Sequence, residues 1–156
     1  SNSAWSNLST GAYCVYDDNE NNADTYGYLY NWFAVGTGNL APEGWHVPTD
    51  EEWTTLTNYL GGDAGSQLAG NADLWDDGDL KDNANFGTSG FNALPGGYRS
   101  TTNGNYDYMG YYGYFWSLTE YYGSLAWYRE LSYDNSDVYR YGTNKRNGFT
   151  VRLVRD

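Results

Sequence analysis

Side chains able to do covalent chemistry are scarce in this chain. His46 is the one histidine and Cys14 the one cysteine, so no histidine pair can share a metal and no intrachain disulfide can form. His46 stands between Trp45 and Val47, just before a helix-capping motif. That setting predicts a packed, hydrogen-bonded histidine in preference to a catalytic one. Twenty Asp and Glu residues permit many carboxylate pairs, but a general acid needs surroundings that raise its pKa. Most of these acids lie in Asn- and Gly-rich turns, where water keeps them ionised. A glycoside hydrolase is therefore a weaker reading than a binding protein. The run Asp17-Asp18-Asn19-Glu20-Asn21-Asn22 could hold a structural calcium ion through oxygen ligands. It lacks the spacing and central glycine of an EF-hand and is read as a solvated loop. No other cofactor is expected.

Recognition chemistry is abundant by contrast. The stretch Tyr98–Tyr141 holds 12 of the 18 tyrosines, interleaved with Gly, Asn, Asp and Ser. Tyr offers large contact area with few rotatable bonds, and Asn, Asp and Ser add adaptable hydrogen bonding. The candidate ligand-binding residues are Tyr106, Asp107, Tyr108, Tyr111, Tyr112, Tyr121, Tyr122, Tyr128, Tyr133, Asp134, Asn135, Asp137, Tyr139, Tyr141 and Asn144. Tyr98 and Tyr114, beside Gly-Gly and Phe-Trp, are assigned to the core. A period of two puts Trp127, Arg129 and Leu131 on a core side and Tyr128, Glu130 and Ser132 on an exposed one. It likewise separates Tyr139 and Tyr141 from Val138 and Arg140. Residues Tyr106–Tyr112, Tyr121–Ser124 and Tyr133–Asp137 are expected to be connecting segments, where binding residues concentrate.

The elements that must position this face follow from the chain's pattern. Its 156 residues suit a single domain, and with 40% hydrophobic and 18% charged residues it is not of disordered composition. A formal charge of −12 repels phosphate backbones and anionic bilayers, so neither nucleic acid nor a membrane surface is an expected partner. No apolar run is long enough to span a bilayer, which excludes direct membrane insertion by a helix. No leader-like segment opens the chain, which is expected to be a mature or trimmed form. A short strand is predicted at Ala12–Tyr16. Tyr26, Leu29, Tyr30 and Phe33 at helical spacing predict a helix over Tyr26–Val35, closed by Gly36. Thr49 and Glu52 form a capping box for a second helix, with Trp53, Leu56 and Leu60 on one face and Gly61-Gly62 ending it. Residues 61–90 lack long periodic segments. Strands are predicted at Phe91–Leu94, Tyr114–Leu118, Leu125–Tyr133, Asp137–Tyr141 and Phe149–Val154. The fold class is α+β: two helices packed on short antiparallel strands, with the C-terminal half mostly strands and loops.

Several segments together resemble one family. They are GAYCVYDDNE (Gly11–Glu20), TYGYLYNWFAV (Thr25–Val35), LAPEGWHVPTDEEWTTLTNYLGG (Leu40–Gly62), SGFNALPGGYR (Ser89–Arg99), YGYFWSLTEY (Tyr112–Tyr121), AWYREL (Ala126–Leu131) and NGFTVRLVRD (Asn147–Asp156). This set resembles the Fibrobacter succinogenes major paralogous domain of secreted and surface proteins of Bacteroidetes and related bacteria. Gly44–Trp53 and the ending Gly148–Arg155 also resemble elements of formylglycine-generating enzymes, whose fold is C-type-lectin-like. Similar endings occur in the variable proteins of diversity-generating retroelements, which diversify a ligand-binding face at adenine positions. The resemblance implies a C-type-lectin-like fold over residues 1–156. The catalytic cysteines of those enzymes lie in the C-terminal part, where this chain has none, so their chemistry does not carry over. Tyr, Asn, Asp and Ser are also what adenine-rich codons yield on random substitution, but a sugar-binding face has the same composition.

The expectation is thus a secreted or cell-surface recognition module, not an enzyme, which binds a protein or glycan through a Tyr-rich face and is open to retroelement diversification. A second reading is a structural or assembly subunit of a surface or extracellular structure, whose aromatic face packs on another copy; adhesion is a role either reading would serve. A third is a carbohydrate-active hydrolase.

Overall fold

The computed structural model describes residues 1–156 and places most of the chain in short elements around one curled sheet. Helix α1 (Asn2–Ser6) is capped by Ser1 and buries Trp5. Strand β1 (Tyr13–Cys14) pairs antiparallel with β2 (Leu29–Tyr30). Between them a 3₁₀ turn at Tyr16–Asp18 leads into α2 (Glu20–Tyr26). The Asn-rich run is therefore only partly loop. Asn19 accepts from the Asn21 N–H and starts a helix there, because the same side chains that favour turns are strong N-caps.

The helix predicted over Tyr26–Val35 is replaced by the end of α2, strand β2 and a new helix α3 (Trp32–Gly36). Gly27 ends α2 in the left-handed region at φ 77°, and Asn31 caps α3 by accepting from the Ala34 N–H. Asn31 is fully buried and also accepts from the Ala12 N–H and donates to the Thr10 carbonyl. A buried amide with three partners stitches the N-terminal segment to α3. The second predicted helix is α4 (Asp50–Leu60), with both hydrogen bonds of its capping box and Gly61 at its end. Strand β3 (Trp45–His46) leads into it. The glycine-rich middle contains α5 (Ala64–Leu68) and α6 (Asp79–Asp82), too short to leave a periodic signature.

The main sheet has strands β4 (Gly96–Arg99), β5 (Tyr106–Met109), β6 (Tyr112–Tyr122), β7 (Leu125–Ser132) and β8 (Val138–Asn144), in the order β5-β4-β6-β7-β8. It departs from an all-antiparallel arrangement, since β4 runs parallel to β6 through Gly97 and Gly113. Tyr106–Tyr112 and Tyr121–Ser124 are mostly strand, not connections, because β5 and a long β6 of 11 residues claim them. Phe91–Leu94 is not a strand; Ala93 makes one isolated bridge to Ala69. Residues Phe149–Val154 make only single bridges, Phe149 to Tyr30 and Thr150 to Phe115, before β9 (Val154–Arg155) pairs with β3. That segment threads between different partners, so the alternation in its sequence does not become a ladder of its own or an alternating burial.

Both faces of the sheet are covered. Trp53 of α4 packs with Leu68, Trp75, Leu80, Phe115 and Leu131 on one side. Trp32, Val35, Val47, Tyr114, Trp116 and Phe149 form the core of the other. Adjacent β6 residues Phe115 and Trp116 thus feed opposite cores, as a strand's period of two requires.

Candidate functional site

The face assignments from period two hold, but one expectation about them does not. Tyr128 and Ser132 are not simply exposed: Ser132 is buried, and the Tyr128 ring lies 4.9 Å from that of Phe149. The reason is that the C-terminal segment crosses this face and packs Phe149 against it. The tyrosine rings form a continuous network, exposed at Tyr108, Tyr111 and Tyr141. Tyr111 contacts Tyr133, which contacts Tyr112. Tyr112 contacts both Tyr108 and Tyr114, and Tyr98 joins Tyr108 to Tyr114. Tyr114 meets Tyr128, Tyr128 meets Tyr141, and Tyr141 stacks on Tyr139 at 5.8 Å. Ring separations of 5–6.5 Å and mixed tilts are those of favourable aromatic pairs.

Nine tyrosines from β4 to β8 and its loops therefore form one contact network, with Tyr133 at its edge also packed against the Trp53 core. Seven are among the sequence candidates. The other two, Tyr98 and Tyr114, form its floor: Tyr114 stacks at 4.9 Å on Phe149, and burial pushes its phenol well above the ordinary tyrosine range.

One carboxylate stands among these rings. Glu130 lies opposite Tyr114 on β6 and opposite Tyr139 on β8, with Tyr128 two residues before it on the same face. It accepts a long 3.4 Å hydrogen bond from the Tyr128 hydroxyl and has no ion-pair partner. Burial raises its pKa above the usual carboxylate value, and the nearby Asp134 charge adds to that against the Tyr128 contact. Asp134 itself accepts from the Ser132 hydroxyl. Glu130 was legible as a face residue beside Tyr128, but nothing local in the sequence marks it as unpaired.

The remaining candidates lie elsewhere. Tyr106 packs on Tyr16, donates to Asp18 and supports the Arg99 guanidinium 4.7 Å from its ring. Asp107 borders a polar hollow with Asn2, Asp17 and Asp18. No three metal-ligating side chains converge there or anywhere else. Tyr121 packs at 4.1 Å on Trp127, on the α4 side of the sheet, and Tyr122 is exposed at the end of β6. Asn135 and Asn144 turn back to the N–H groups of Asp137 and Arg146. The two asparagines organise loops, and none of these four residues joins the tyrosine network.

The two nucleophile candidates stand apart. Cys14 has Arg99 and Tyr106 as neighbours, and burial pushes its thiol up. His46 bridges Asp156 at 2.6 Å and Glu52 at 2.8 Å. The largest concavity, about 510 Å³, lies between α4 and the C-terminal segment and is mainly apolar. Its charged members are already engaged, Glu52 by His46 and the Thr49 N–H, Arg152 by the carbonyls of Phe91 and Asn92.

A family model described as the Fibrobacter succinogenes major domain matches residues 2–155. The chain belongs to the Fibrobacter succinogenes major domain family. Family membership agrees with the motifs around Trp45–Trp53, Ala93–Arg99 and Gly148–Arg152. No significant match was found among curated proteins or solved structures.

Proposed function

We propose that this member of the Fibrobacter succinogenes major domain family is a secreted or surface-displayed recognition module of C-type-lectin-like architecture. It binds through the tyrosine face of its main sheet and is not an enzyme. The carrying observation is the continuous set of nine tyrosines from Tyr111 to Tyr139, open to solvent at Tyr108, Tyr111 and Tyr141. Aromatic anchors of this kind carry most of the affinity in known interfaces. The separate settings of Cys14 and His46 support the non-enzymatic reading, since neither has the other as a partner.

A glycan and a protein array probed with the wild-type chain, then with Tyr111→Ser and Tyr141→Ser, test this. Retained melting with binding weakened tenfold or more by at least one substitution is expected. Binding that survives both substitutions moves the site off this face. Turnover of an arrayed glycan would favour the hydrolase reading, and concentration-dependent self-association blocked by Tyr141→Ser would favour the assembly reading.

A further inference from the structure

The ligand's chemistry can be narrowed from Glu130. The part-buried acids of α4 have cationic partners: Asp50 pairs with Arg129 at 2.7 Å and Arg140 at 2.8 Å, and Glu52 with His46. Glu130 is held in equally enclosed surroundings with only one long phenol contact. A part-buried carboxylate without a counter-charge is poorly solvated and retains acceptor capacity that an incoming donor can use. The rings beside it offer π faces, which attract cations within about 6 Å. The same chain already uses that arrangement internally. Arg140 sits 3.5 Å over the Trp127 ring while paired with Asp50, and Arg99 lies 4.7 Å from both Trp5 and Tyr106.

We propose that the tyrosine face receives a cationic side chain, a lysine ammonium or arginine guanidinium of a protein ligand, with Glu130 as counter-charge and Tyr128, Tyr139 and Tyr141 as its walls. This rests on the recognition reading above. Charge complementarity supports it beyond the pair, since Asp134 adds a second negative charge beside Glu130 and the chain as a whole carries −12. Such a field concentrates cations at the surface. A neutral sugar would bury the same rings and could donate hydroxyls to Glu130, but it would supply no counter-charge.

The probes are Nα-acetyl-lysine amide, Nα-acetyl-arginine amide, the neutral Nα-acetyl-citrulline amide and methyl glucoside, each titrated into the 15N- and 13C-labelled chain while the tyrosine-ring and Glu130 resonances are followed. The two cations should give saturable shifts at Glu130, Tyr128 and Tyr139, and citrulline and the glucoside should not. Glu130→Gln should weaken the cations at least tenfold with its melting temperature kept. Tyr141→Ser, at an exposed ring, is the second variant and should weaken them as well. The titratable groups around Glu130 are Tyr114 on β6, Tyr98 on β4, Tyr128 on its own strand, Tyr139 and Tyr141 on β8, and Asp134. Glu130 gains its charge as pH rises out of the acid range, so lysine affinity should rise with pH there in the wild type and lose most of that rise in Glu130→Gln. Equal binding of citrulline, or insensitivity to Glu130→Gln, overturns the cation assignment while leaving the recognition face standing. Absence of shifts with both cations also overturns it, whereas the recognition reading falls only if the array ligands ignore Tyr111 and Tyr141.

Discussion

At the scale of single residues, Arg129 sets the clearest energetic demand. It is 1% exposed, and its guanidinium donates to the Asp50 carboxylate, the Asp50 carbonyl and the Thr54 hydroxyl. Removing one member of such a pair leaves a buried charge alone, which costs about 3–5 kcal/mol. Asp50→Ala should therefore lower unfolding free energy by about that amount in urea titration, while Glu51→Ala, exposed one position on, should leave it within about 0.5 kcal/mol. Burial works to raise the Asp50 pKa, but the hydrogen bonds from Arg140 and Arg129 outweigh it and hold the carboxyl below its ordinary value. A folded pKa lowered in this way contributes stability above the unfolded value near 3.8, and that contribution is lost as pH falls through the lower folded value.

His46 has the opposite sign. Hydrogen bonds to Asp156 and then Glu52 raise its pKa above 6.5. Its contribution to stability is full below about 6.5 and disappears as pH rises through the higher folded value. Melting temperature should accordingly decline on the alkaline side of pH 6.5, and His46→Gln should flatten that decline without touching ligand binding. A decline unchanged in the variant would assign it to other groups. A structural, hydrogen-bonded His46 was readable from its position before the Thr49 cap. Its partner Asp156, 110 residues away, was not, because only the β3–β9 pairing brings them together.

At the scale of elements, the parts legible in advance were those with local chemistry. Thr49 and Glu52 announce α4, and the alternation of β6 to β8 announces the faces. The strand expected over Phe149–Val154 and the helix expected over Tyr26–Val35 failed for related reasons. In each, apolar spacing came from contacts with several distant partners, and the punctuating residues Gly27 and Asn31 were outweighed by that spacing although both are ordinary stop and start signals. Trp53 on α4 is 2% exposed and its indole donates to the Trp116 carbonyl. Trp53→Ala should cost about 3–5 kcal/mol in equilibrium unfolding, and a change within a degree or two of the parent's melting temperature would remove α4 from the core. Gly97 joins β4 to its neighbours at φ 61°, and a Cβ there would stand 2.5 Å from the Asp107 carbonyl oxygen and 2.6 Å from the Met109 nitrogen. Both obstacles are backbone, so Gly97→Ala should loosen β5 and disturb Tyr108 together with Tyr98. Hydrogen exchange at Tyr106–Met109 is the direct readout, with protection expected to fall there and not in β7.

For the whole molecule, the tyrosine-rich composition was visible at once, but its division between two uses was not. Tyr114 and much of Tyr128 belong to the second core, while Tyr111 and Tyr141 remain open, and only the path of Phe149 across the sheet decides which is which. The charge of −12 acts on both fold and ligand, with opposite consequences. Self-repulsion among 20 acids against 8 Lys and Arg opposes the compact state. Salt shortens the Debye length from about 10 Å at 0.1 M to about 3 Å at 1 M and relieves it. Melting temperature should therefore rise with sodium chloride over this range, since the Asp50–Arg129 pair is buried and screened less than the exposed acids. Association of a cationic ligand with the tyrosine face should weaken over the same range, chiefly through a slower on-rate. Calorimetry and stopped-flow binding on one set of buffers would register both trends. A melting temperature that falls with salt would mean that the surface ion pairs outweigh the net repulsion. A ligand on-rate indifferent to salt would remove the long-range charge from the recognition step and leave Glu130 alone to select the cation.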